Sequence, residues 1–125
     1  VERQDAKEKS MVDYNRDLVI AKAKQCFPNE DQGKIMDILD LYGKEFYARE
    51  RERVQIAILK LSGGDLQNLC EYVEIARRDF RDVLSSAEYP EETRKRAWNM
   101  SDKEEVKRIR ERDRQQYIDW LQGKA

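Results

Sequence analysis

From Leu66 to Ala87 the apolar side chains recur at steps of 3, 1, 3, 3, 4, 3, 1 and 3 residues, through Leu69, Cys70, Val73, Ala76, Phe80, Val83 and Leu84. Only a backbone of about 3.6 residues per turn puts such a row on one face. The row predicts a helical stretch of more than twenty residues. It is either one long helix or two nearly collinear ones, because Asp79, with Asp82 three on, can start a new helix.

Charged residues are 41% of the 125-residue chain, against roughly a quarter in an ordinary domain. Each buried face must therefore be a narrow stripe on an otherwise wet helix. Two prolines and five glycines leave room for long helices. Runs of alternating or β-branched residues are missing, so no sheet is expected. High charge is also a mark of disorder. The periodic apolar spacing excludes it for the middle of the chain and leaves it for residues 1–9, with 10–125 read as one helical domain.

The punctuation divides the chain further. A first helix is expected from about Ser10 to Cys26, stopped by Pro28. Asn29, with Gln32 as its capping-box partner, opens a second helix to about Tyr42. Ile35, Ile38, Leu39 and Tyr42 form its core face, and Gly43 is placed as its left-handed cap. A third helix runs from about Glu45 to Leu61, charged in its first half and apolar nearly all round from Val54. An all-round apolar segment belongs at the centre of a core. Ser62-Gly63-Gly64-Asp65 is a tight helix corner. It is not a phosphate loop, which needs a following lysine and hydroxyl at set spacing. Tyr89-Pro90 begins a short helix to about Trp98. Ser101-x-x-Glu104 opens a last helix to about Leu121. Residues 110–116 of that helix hold no apolar side chain, so its middle is expected to protrude. The fold class is all-α: a compact bundle of about five or six helices with a charged, partly protruding C-terminal helix. Its core is assigned to Ile35, Ile38, Leu39, Val54, Ile58, Leu61, Leu66, Leu69, Val73, Phe80 and Leu84.

The chain contains no histidine. Histidine is the side chain that titrates unaided near neutral pH and the commonest metal ligand. Ser-His-Asp, Cys-His and His-Glu-x-x-His chemistry are thereby excluded. Cys26 and Cys70 lie among apolar residues and read as reduced core thiols rather than nucleophiles, which suits a cytoplasmic protein. No apolar run approaches the roughly 20 residues that span a bilayer, and no signal-peptide core is present.

Acidic pairs occur at helical spacing: Asp13/Asp17, Asp37/Asp40, Glu71/Glu74 and Asp79/Asp82. Carboxylate pairs on facing helices can hold Mg²⁺. Here Glu71/Glu74 and Asp79/Asp82 follow each other along one row, which does not clamp an ion from two sides. They read instead as solvated faces with ion pairs such as Glu74 to Arg77 or Arg78. Glu50 to Arg53 likewise reads as i,i+3 pairing on an exposed turn. No metal or cofactor is expected, and a carboxylate-metal enzyme is the least favoured reading.

Charge is unevenly distributed. Residues 94–114 carry nine Lys/Arg against five Asp/Glu, a net +4, while residues 1–93 carry fifteen against twenty, a net −5. The basic stretch is flanked by Trp98, Tyr117 and Trp120. These features lead to the expectation of a non-enzymatic interaction or regulatory protein that uses Trp98, Tyr117 and Trp120 against another protein or a second copy of itself. The alternative is a weak nucleic-acid binder using Arg94, Lys95, Arg96, Arg108, Arg110, Arg112 and Arg114. The interleaved acids oppose that grip.

Overall fold

Helix α3 (Arg51–Ser62) is the axis about which the chain is arranged in a computed structural model that describes residues 12–45, 50–95 and 102–123. Val54, Gln55, Ile56, Ala57, Ile58 and Leu59 are each 0% exposed, so every side of this helix is covered. The remaining helices are α1 (Arg16–Cys26), α2 (Gln32–Leu39), α4 (Leu66–Arg78), α5 (Phe80–Glu88), α6 (Pro90–Lys95) and α7 (Lys103–Leu121). Helices α1, α4 and α5 pack on α3, α2 packs on α1 and α4, and α7 packs on α5 and α6. The described residues are all-helical, with seven helices and no strand. No described helix is long and apolar enough to cross a membrane.

The core assignment holds. Ile35, Leu39, Val54, Ile58, Leu69, Val73 and Leu84 are buried, and Ile38, Leu61, Leu66 and Phe80 pack against them half-buried. The helix count exceeds the expectation because Asp79 takes an extended backbone (φ −157°, ψ 95°) and ends α4. Its carboxylate accepts from the Arg81 amide and starts α5. The two helices are therefore separate pieces, packed on each other and both on α3. At the predicted corner, Gly63 (φ 60°) and Gly64 (φ 79°) are left-handed, a conformation that costs any other residue. Asp65 then caps α4 by accepting from the Asn68 amide at 3.0 Å.

Several boundaries differ from the expectation, α3 among them: it begins at Arg51 rather than near Glu45. Helix α1 begins at Arg16, where Asn15 supplies the capping oxygen to the Leu18 amide at 2.9 Å. Helix α2 is capped by Asp31 rather than Asn29, and Gln32 instead donates to the Phe27 carbonyl at 2.7 Å. It ends at Leu39, so Gly43 (φ 104°) lies beyond its C-cap, Asp40. Helix α7 is capped by Asp102, which accepts from the Glu104 amide at 3.0 Å. Segment 1–9, Arg96 and Trp98 lie outside the described residues.

Polar side chains inside the core close helix ends. Gln55 donates to the carbonyls of Leu39 at 3.0 Å and Tyr42 at 3.1 Å, satisfying backbone acceptors at the end of α2 from another helix. Arg16 grips Asp40 with two bonds of 2.7 Å, and that hydrogen bonding holds the Asp40 carboxyl below its ordinary pKa against the opposing effect of burial.

Candidate functional site

Helix α7 carries most of the residues singled out in the sequence, and its seat on the bundle mixes polar with apolar contacts. Of its nineteen residues only Ile109, Asp113 and Tyr117 are buried. They fall at i, i+4 and i+8, one face of the helix. The outer face is wet as expected: Arg108, Arg110, Glu111, Arg112, Arg114 and Gln115 are exposed. The middle of the helix is nevertheless anchored, because Asp113 is only 3% exposed. Its carboxylate accepts from the backbone amides of Glu91 at 3.1 Å and Glu92 at 2.9 Å. Helix α6 begins at Pro90, which has no N–H, so Asp113 serves as its N-terminal cap from a different helix.

Ion pairs flank this contact. Arg110 engages Glu92 through two bonds of 3.1 and 2.7 Å, and Arg112 meets Glu91 at 2.9 Å. Lys95 also reaches Glu91, at 3.2 Å, and the two cations, Lys95 foremost, hold the Glu91 carboxyl below its ordinary range. Replacing Asp113 with alanine leaves two backbone donors without an acceptor and is expected to cost on the order of 2 kcal/mol. A urea titration checks this, and a loss under about 0.5 kcal/mol would contradict the capping role.

The far end of α7 is held by Lys22 of α1, a lysine with 2% exposure. Its ammonium donates to the Trp120 carbonyl at 2.7 Å and to Gln25 Oε1 at 2.8 Å. It also lies 4.2 Å from the centre of the Trp120 ring. A cation at a helix C-terminus and over an indole face is favourable on both counts. Burial nevertheless lowers the Lys22 pKa, and the nearby Cys26 sulfur only partly offsets this.

The two described aromatic candidates both pack against the bundle. Tyr117 is 4% exposed and lies in the core, its ring stacked with that of Trp120 at 5.8 Å. Trp120 is half-buried against the same core. The Tyr117 hydroxyl is buried without a hydrogen-bond partner. Near it, Arg53 of α3 grips Glu88 of α5 through two bonds of 2.8 and 2.7 Å, with Glu88 7% exposed. Arg53 thus does more than pair with Glu50 at 3.2 Å as the spacing predicted: it bridges two helices. Burial, reinforced by the Glu88 charge, pushes Tyr14 up to about 12, and burial pushes Tyr117 well above its ordinary 10.

These shifts fix the sign of an alkaline response. Above pH 10 the unfolded chain releases phenolic protons that the folded chain keeps, so stability falls as pH rises toward 12. Burial lowers Lys22 and Lys60, which act with the opposite sign, but their effect is complete near the ordinary value of 10.5. The last phenolate absorbance should therefore appear together with loss of helical circular dichroism. Titration of every phenol at the ordinary value near 10, with the helix intact, would contradict it.

The described basic residues fall into two sets. Arg110, Arg112 and Lys95 are engaged by Glu92 and Glu91, while Arg94, Arg108 and Arg114 are exposed. Arg108 and Arg114, six residues apart, sit about 120° apart around the helix. The acidic pairs are likewise dispersed: Asp40 binds Arg16, Glu74 meets Arg77 at 3.3 Å as expected, and Asp79 caps α5. Among the described residues no three His, Cys, Asp or Glu side chains are grouped to hold a metal ion. Both thiols are free: Cys26 packs half-buried against the core, and burial raises its pKa, whereas Cys70 is exposed rather than in the core. No protein-family profile matches the chain, and no curated protein or solved structure does.

Sequence reasoning missed Asp113, Lys22 and Glu88. A signal existed for the first: Asp113 keeps the phase of Ile109 and Tyr117 on an otherwise apolar face. An acid in that position must find donors or stay out of the core.

Proposed function

We propose that this protein is a non-enzymatic interaction module that engages another protein through its C-terminal helix. What supports this is the make-up of the α7 seat. Helices α3, α4 and α5 are joined by a continuous apolar row, whereas α7 is held by a carboxylate on two amides, ion pairs and a lysine on its last carbonyls, with Ile109 and Tyr117 as its only fully buried apolar side chains. Water or a partner's polar groups can replace such contacts at low net cost, because hydrogen bonds exchange nearly evenly. Once lifted, the helix offers Ile109, Tyr117 and Trp120 as a row on one face, the pattern by which an amphipathic helix fills a groove. Trp98 belongs to the same proposal by sequence position.

Affinity capture with the full chain, followed by titration of each retained protein in purified form, tests this. Trp120→Ala should weaken binding by about tenfold or more, as expected for a buried aromatic anchor. Recovery of no partner, or equal affinity of the variant, would count against the helix as the binding element.

A further inference from the structure

We propose that the outward face of α4 is a self-association surface on which a second copy of this chain packs antiparallel, α4 against α4. Gln67, Glu71, Glu74 and Arg78 follow at steps of 4, 3 and 4, so they form one stripe on the side of α4 opposite Leu69 and Val73. Ile75 and Cys70 border the stripe, and a shallow open groove of about 490 Å³ runs along it.

The charges on this stripe are segregated. The acids Glu71 and Glu74 lie in its middle, and Arg78 lies at its C-terminal end. Glu71 and Arg78 are seven residues apart, roughly 10 Å along the axis, too far to pair within one helix. Glu71 receives only the Gln67 amide, at 3.4 Å, and among the described residues no carboxylate engages Arg78. An antiparallel second copy resolves both, because a two-fold axis near Ile75 sets each Arg78 opposite Glu71 of the other chain. The same axis brings the two Glu74 side chains near each other, each moderated by its own Arg77 at 3.3 Å, whereas a parallel copy would set Glu71 against Glu71, Glu74 against Glu74 and Arg78 against Arg78. The helix dipoles favour the antiparallel arrangement as well. The contact is isologous and therefore closes at two chains. A helix of thirteen residues is about 20 Å long, so the interface is small and the dimer weak and concentration-dependent.

Sedimentation equilibrium of the full chain over a concentration series tests this. The weight-average mass of the wild type should climb from one chain toward two. Arg78→Glu and Glu71→Arg should each remain monomeric, and the double variant carrying both should regain the wild-type curve. Both positions are exposed, so circular dichroism should show every variant folded. A wild type that stays monomeric, an Arg78→Glu chain that dimerises like the wild type, or a double variant that stays monomeric would each overturn the proposal. Trp120→Ala should leave the curve unchanged, which separates this surface from the one assigned to α7.

Discussion

Ile58→Asp should abolish cooperative folding. Ile58 is 0% exposed at the centre of α3, the helix on which α1, α4 and α5 all pack. Removing its side chain forfeits about 2 kcal/mol of apolar burial. An ionised carboxylate there, with no cation or donor built to meet it, adds several kcal/mol more. The sum exceeds about 5 kcal/mol, the lower end of what holds a domain together. The expected observation is a thermal scan with no sigmoidal transition. A folded variant with a sharp melt would mean that α3 is not the centre of the core.

Glu88→Ala should be the most damaging change among the polar residues. Glu88 is buried, and its two oxygens satisfy the two-pronged guanidinium of Arg53, which their hydrogen bonds hold firmly charged. Truncation strands a half-buried arginine between α3 and α5 and should cost about 3 kcal/mol in a chemical melt. Replacing both residues, as in Arg53→Met with Glu88→Leu, should recover most of that loss, because no unpaired charge then remains. If the double variant is as unstable as Glu88→Ala, the pair contributes through packing shape rather than through compensated charge.

How much of this was legible in the sequence depends on the range of each interaction. Apolar stripes repeat within one helix, so the row from Leu66 to Ala87 and the all-round apolar stretch after Val54 identified the core correctly. Local caps were also readable, at Asp65 and at the Gly63-Gly64 corner. The contacts that close α2, α6 and α7 were not. Gln55, Asp113 and Lys22 each satisfy the end of a different helix, at sequence separations of 16, 21 and 98 residues. No local spacing encodes a cap delivered from that distance. For the same reason Lys22, Asp113 and Glu88 read as surface charges until their partners were in place. The burial of Tyr117 went unread as well. Tyr117 looked like a flank of the basic stretch, although its step of eight from Ile109 already put it on the buried face of α7.

To lift toward a partner, α7 must be attached to the bundle more weakly than the bundle is attached to itself. Native-state hydrogen exchange under increasing denaturant measures this directly. Amides of α7 between Ile109 and Tyr117 should exchange through an opening that costs clearly less than global unfolding. Those of Val54–Leu59 should exchange only when the whole chain unfolds. Equal opening free energies for the two sets would make α7 an inseparable part of the fold and contradict its release to a partner.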